Sequence, residues 1–238
     1  MDFRGDQQRR QAGDSMKLVH PSLEAPVEFA ENIVNILVVE NQRVFSSMVS
    51  ELLLQSEGGE GQFVVSHGAK RLSFEKDAEL ILSPFLLDIN QKKIVAKLHA
   101  KLKNTAVEAD FYMKSLDISS RIAEYIEAIS QTVDFPLIYS ETDAMALFKL
   151  VDLRLEENHA TLAEKILDYI TAAQEFLSVS FFIFVNLRSF LSAEELKSLY
   201  QSAIYRKIHF LLLENTQREK VSDCEMTYIL DYDLCSIY

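Results

Sequence analysis

Two groups of side chains in this sequence have the types and spacing to do chemistry. The segment Asn90–Asn104, NQKKIVAKLHAKLKN, carries Lys92, Lys93, Lys97, Lys101 and Lys103 and no acid. With Lys70, Arg71 and Lys76 before it, the segment suits contacts to phosphates rather than to base edges, because lysine offers a mobile point charge without a fixed donor geometry. The plain alternative is a solvated helix face. The second group is Asp134, Glu141, Asp143, Asp152, Glu156 and Glu157, which flank breaks between helical patterns. Oxygen ligands converging from loops suit calcium, whose coordination is flexible and carboxylate-rich. EF-hand spacing is missing, and here too a solvated acidic face is the alternative.

The patterns that catalysis would need are missing from the sequence. His20, His67, His99, His159 and His209 form no HExxH pair and no Cys-His ligand spacing, and His209 lies in an apolar run that reads as a structural strand. There is no GxSxG nucleophile elbow. The run Gly58-Gly59-Glu60-Gly61 contains an acid, lacks GK[ST] and does not follow the first strand, so it does not read as a phosphate-cradling loop. A phosphoryl-receiver site would need clustered carboxylates around a magnesium ion, but Glu40 is followed by Asn41 and the later strong strands end without an Asp. Asp88 with Lys92 and Lys93 supports only one enzymatic alternative, a metal-dependent nuclease or nucleotidase, and a single carboxylate falls short of a two-metal constellation.

Elements must position these groups. Ile36–Glu40 (ILVVE), Phe181–Val185 (FFIFV) and Ile208–Leu213 (IHFLLL) are short apolar runs that end abruptly in polar residues, as buried strands do. Met226–Leu230 is a weaker strand candidate, and Phe63–Ser66 reads as a hairpin or edge strand. Between the strong strands the period is helical: Val44, Met48, Val49, Leu52 and Leu53 share a face, and so do Ile94, Val95, Leu98 and Leu102. Ser192 and Glu195 form a capping box for a helix joining the second strong strand to the third, which predicts a crossover and a parallel sheet. From Val107 to Gln131 an apolar band predicts one helix about 37 Å long. After a break at Pro136, two more helices are expected over 141–151 and 161–176.

The expected fold class is therefore α/β, a parallel-sheet head with an all-helical leg inserted between strands. The head comprises residues 16–106 and 178–238 and the leg residues 107–177. Residues 1–15, polar and without an apolar signal-peptide core, read as a disordered leader or an expression scar. The 238 residues are 48% hydrophobic with 6 Gly and 4 Pro, enough for one large domain or two small ones. Two cysteines, Cys224 and Cys235, form no disulfide framework and fit a reducing cytosol. No apolar run reaches the roughly 18 residues of a membrane span. The net charge of −12 argues against nucleic acid when averaged over the chain. It is segregated, however, with a net +4 over residues 68–106 and −9 over 107–178.

Four segments in this order resemble a known family: NILVVENQRVFSSMVSELL, LLDINQKKI with its following KL pattern, FFIFVNLRSFLSAEELKSLYQSAIYRKIHFLLLEN and YILDYDLCSIY. They are similar to the accessory spacer-acquisition proteins of type II-A CRISPR systems, and the similarity runs from about Met16 to the end. The resemblance implies a non-enzymatic, cytoplasmic protein with a head like that of P-loop ATPases but lacking the phosphate loop. It implies a homotetrameric ring that binds calcium, threads the ends of double-stranded DNA through a lysine-lined hole, and works with the CRISPR integrase proteins and the type II effector nuclease. Carried onto this sequence, the ring lining would comprise Lys70, Lys92, Lys93 and Arg188, with Arg71, Lys97, Arg206 and Lys207 behind them. The calcium ligands would be Glu141 and Glu156, then Asp134 and Asp143. The alternatives that remain are the nuclease or nucleotidase and a protein-docking scaffold that uses its long leg as contact surface without DNA affinity.

Overall fold

Val34–Val39 is buried along its whole length, as a strand must be when parallel neighbours flank it and both sheet faces are covered. The computed structural model describes residues 16–140 and 142–237; the expected leader lies outside them. In chain order the strands are β1 (Met16–Val19), β2 (Val27–Phe29), β3 (Val34–Val39), β4 (Val64–His67), β5 (Lys70–Leu72), β6 (Ala78–Ile81), β7 (Phe181–Val185), β8 (His209–Glu214), β9 (Glu225–Leu230) and β10 (Ser236–Ile237). The larger sheet has the order β10-β9-β3-β8-β7-β6. Its strands are parallel from β9 to β6, and β10 pairs antiparallel at the edge. Ile36 stands opposite Leu212 on one side and Thr227 on the other, and Ile183 opposite Leu211. The three strong runs and the weaker fourth are thus β3, β7, β8 and β9 of an α/β fold with a parallel sheet.

A second, antiparallel sheet has the order β2-β1-β4-β5. The Phe63–Ser66 candidate is its β4, closed onto β5 by a turn at Gly68, where φ is +57°. The two sheets share a core of Leu18, Val27, Phe29 and Val65 with Leu37, Val39, Ile183, Leu211 and Leu213, joined by Met48, Leu52 and Phe63. Phe29 meets Phe181 edge-on with ring centroids 5.1 Å apart, a favourable aromatic geometry. Helix α1 (Gln42–Ser56) follows β3 and buries Met48 and Leu52.

The described chain divides into two units, residues 16–87 with 159–237, and Asp88–Asn158. The insert predicted between β3 and β7 is present, with borders at 88 and 158 where the sequence suggested 107 and 177. Helix α2 (Lys92–Ala106) belongs to the insert, with α3 (Ala109–Ser130) and α4 (Ala144–Leu150). Helix α5 (Leu162–Ala172) belongs to the head, where it packs on α6 (Ala193–Tyr205). Periodicity finds a helix but not the neighbour it packs on, so it misplaces such borders. The Ser192/Glu195 capping box is formed, and α5 has its own at Thr161/Glu164. At 22 residues α3 is about 33 Å long.

Within the insert, the return segment after α4 is fastened by side chains of the α2 region. The Asn90 amide nitrogen donates to the Leu155 carbonyl at 3.0 Å and to Glu157 Oε1 at 2.9 Å, and its oxygen accepts from the Leu155 amide at 2.9 Å. His99, buried, bonds the Leu153 carbonyl through Nε2 at 2.8 Å. Asn90 thus acts as a one-residue strand pairing with Leu155. Asn90→Ala is expected to lower hydrogen-exchange protection of the Leu155 amide about tenfold, from a loss of about 1–2 kcal/mol. Asn90→Asp is expected to cost more, since a carboxylate would face the Leu155 carbonyl and Glu157. Unchanged protection in both variants would remove Asn90 from this role.

Candidate nucleic-acid interface

Helix α2 buries Ile94 and Leu98 and half-buries Leu102, spaced four residues apart along one face. That burial fixes the rotation of the helix and leaves Lys92, Lys93 and Lys103 on the side away from the apolar face, with Lys97 and Lys101 along its flank, and all five exposed. Lys93, Lys97 and Lys101 follow at the same four-residue spacing and form a row along the helix. Lys103 is engaged differently, donating to Asp143 Oδ2 at 2.8 Å.

That bond bears on the acidic candidates. Asp143 Oδ1 accepts from the Ala146 amide at 2.9 Å as the N-cap of α4. The Lys103 ammonium, with the Ala146 amide, holds the Asp143 carboxyl below its ordinary value. Both of its oxygens are therefore committed to a helix cap and a lysine. Asp152 pairs with Arg154 at 2.8 Å, and Glu157 accepts from Asn90. Asp134 and Glu156 are exposed, and Glu141 lies outside the described residues. Among the described residues no group of three or more His, Cys, Asp or Glu side chains could hold a metal ion. The carboxylates of the described chain therefore do not fit a calcium ligand set by themselves.

In the head, Lys70 and Arg71 are exposed on β5, an edge strand of the antiparallel sheet. Cations there also discourage edge-to-edge pairing. Arg206 caps α6 and Lys207 follows with φ +56°, while the Ile208 amide returns to the Ala203 carbonyl at 2.9 Å. This left-handed position favours glycine, and a lysine held there costs about 1 kcal/mol. Lys207→Gly is therefore expected to raise the urea midpoint. A lowered midpoint would show that the lysine stabilises the helix end instead.

Arg188 must be struck from the phosphate-contacting set. It is 5% exposed, and its guanidinium points to Glu225 and to the Glu219 carbonyl. A cation after a strand looks like a surface group in sequence; here the segment after β8 lies over it.

The junction of β3 and α1 is where an α/β head of this topology would receive a phosphate. Asn41 occupies it, its Oδ1 accepting from the Arg43 and Val44 amides at 3.1 and 3.3 Å and its amide donating to the Tyr232 carbonyl at 3.2 Å. The helix amides are thus already partnered by the chain itself. The glycine run closes the far end of α1, with Gly58 at φ +86°, and Gly59 so close that a Cβ there would stand 2.6 Å from the Leu54 side chain. Asp88 is exposed and accepts from the Asn90 amide at 2.7 Å; it joins no metal-ligand group among the described residues.

The family described as CRISPR-associated protein (Cas_Csn2) matches residues 55–234. A CRISPR-associated protein Csn2 of Streptococcus agalactiae is 24% identical over 82% of this chain and 88% of its own length. One of Enterococcus faecalis is 24% identical over 91% of this chain and 95% of its own. A crystal structure of Stu0660 of Streptococcus thermophilus superposes with a TM-score of 0.56 at 11% identity, covering 91% of this chain and 75% of that one. The last comparison shows a shared fold.

Proposed function

The chain belongs to the CRISPR-associated Csn2 family, and from this we propose that it is a non-enzymatic protein that assembles into a four-membered ring and takes in the ends of double-stranded DNA through sequence-independent phosphate contacts, in support of spacer acquisition. The observation that carries the reading is helix α2, which exposes Lys92, Lys93, Lys97 and Lys101 and contains no acid, in a chain of net charge −12. Four copies facing one hole would multiply that local charge while the acidic remainder keeps duplex away elsewhere. Self-association is supported by α3, which has no buried residue although Phe111, Leu116, Ile118, Tyr125 and Ile129 lie along it. A row of exposed apolar side chains along one helix suits contact with another protein surface.

Fluorescence anisotropy on a linear duplex and on a closed circle of the same sequence tests the reading. The linear form should bind with a steep negative dependence on salt and little dependence on sequence, and the circle should not. Tight, salt-insensitive binding to one sequence would sink it. The calcium expected from the resemblance has no described ligand set in one chain, and no step of the reading runs through it. Mass measurement with and without a chelator decides whether the assembly needs the ion.

The ring works, in this reading, beside the integrase proteins and the effector nuclease of the same CRISPR system in the cytoplasm. No helix among the described residues is long and apolar enough to cross a membrane. The exposed face of α3 equally suits a scaffold that docks protein without DNA, and the anisotropy experiment separates the two.

A further inference from the structure

The segment between β8 and β9, residues 215–224, is fastened to the head by side chains. Its Asn215 amide donates to Asn186 Oδ1 at 3.1 Å, Arg218 Nη2 donates to Ser189 Oγ at 3.0 Å, and the Val221 amide donates to Glu225 Oε2 at 3.2 Å. Arg188 Nη2 donates to the Glu219 carbonyl. Arg188 is the anchor, because its buried guanidinium reaches the segment from beneath.

Its surroundings are unusual in charge. Arg188, Glu214, Glu225 and Tyr200 are all buried, at 5%, 1%, 5% and 1% exposure. The Arg188 amide donates to Glu214 Oε1 at 3.1 Å, and the guanidinium Nη2 lies 3.8 Å from Glu225 Oε1. Among the described residues, Arg188 Nε, Glu225 Oε1 and the Tyr200 hydroxyl have no hydrogen-bond partner, so the cluster is incompletely satisfied where polar groups are normally paired. Two carboxylates face one guanidinium. When both are ionised, the buried guanidinium balances only one of them and the exposed Arg218 offsets the other from the solvent side, which leaves a poorly compensated carboxylate away from water and is costly.

We propose that this cluster is a proton-operated latch on residues 215–224: with Glu214 protonated, Arg188 pairs with Glu225 and holds the segment closed through Glu219; with Glu214 ionised, the segment opens and water relieves the excess charge. Arg218 and Lys220, exposed on the segment, move with it. The charged and titratable groups facing Glu214 are Arg188 after β7, Arg218 on the segment and Tyr200 on α6, with Glu225 on β9 reaching the cluster through Arg188 and Tyr200. Burial raises the Glu214 carboxyl to about 7, against the pull of the Arg188 amide and guanidinium and of Arg218. Burial and the Glu225 carboxylate raise Tyr200, which stays neutral. A carboxyl raised in the closed state binds more protons there than in the open state. The closed form is thus favoured at low pH and loses ground as pH rises from 4.5 through about 7. The latch does not depend on the DNA-binding reading.

Hydrogen exchange of peptides spanning 215–224 in the full chain, at pH 6 and pH 8 and corrected for the intrinsic rate, tests it. Protection is expected to be about tenfold lower at pH 8, with α1 peptides unchanged as an internal control. Glu214→Gln keeps an oxygen to accept from the Arg188 amide and should remove the difference between the two pH values. Equal protection at both pH values in the unaltered protein would overturn the proposal, whatever the variant does. A difference that survives in a folded Glu214→Gln chain would overturn it too.

Discussion

Light scattering on a chain carrying Ile118→Glu and Tyr125→Glu is expected to return a smaller mass than the unaltered protein gives, while circular dichroism keeps its helical signal. Ile118 and Tyr125 are 46% and 65% exposed, and Phe135 and Ile138 beyond the helix are 78% and 98% exposed. Ile118, Ile122, Tyr125 and Ile129 alternate four and three residues apart, the spacing of a helix that meets another helix along a seam. Each such side chain, already about half covered, contributes about 1 kcal/mol when the rest of it moves from water into an interface, less the cost of association. In a two-fold interface every substitution enters twice. Glutamates at both positions would therefore put four unpaired carboxylates against apolar surface, an outcome assembly does not survive. A variant of unchanged mass would remove α3 from the interface. An unaltered protein that is monomeric would remove the ring.

Lys92→Glu with Lys93→Glu is expected to lower affinity for linear duplex by about a hundredfold or more near 0.1 M salt, and to flatten the dependence of log affinity on log salt by about 0.9 for each phosphate no longer neutralised. Each substitution exchanges a cation for an anion, so in a ring the change repeats in every copy around the hole. The apolar face of α2 is untouched, and the fold of the insert should persist. Lys197→Glu on α6, an exposed lysine outside the candidate set, makes the same kind of charge change elsewhere and should leave binding nearly unaltered. Equal effects from both variants would mean that the response is to net charge rather than to a site.

The parts of the fold legible in the sequence were those with contiguous signals. β3, β7 and β8 appeared as apolar runs, and the Ser192/Glu195 box marked the start of α6, because a cap and a period are written within a few residues. The short strands β1, β2, β5 and β6 were not read. At three or four residues each, and with Lys70 and Arg71 in one and Glu79 in another, they are too short for a period to emerge. Asp143 illustrates the same limit in the candidate site: its carboxylate looked available until Lys103, forty residues away in sequence, was placed beside it.

The sequence by itself determined the α/β class, the helical insert, the basic segment in an acidic chain and the family. Each rests on order and composition along the chain. Only the tertiary structure decided which charges meet solvent. Lys92, Lys93 and Lys97 stay exposed because Ile94 and Leu98 set the rotation of α2, whereas Arg188 is enclosed by Glu214, Glu225 and Tyr200 from three other elements. Whether a charge is free to bind depends on what the fold places over it, and those neighbours lie too far along the chain for local spacing to reveal them.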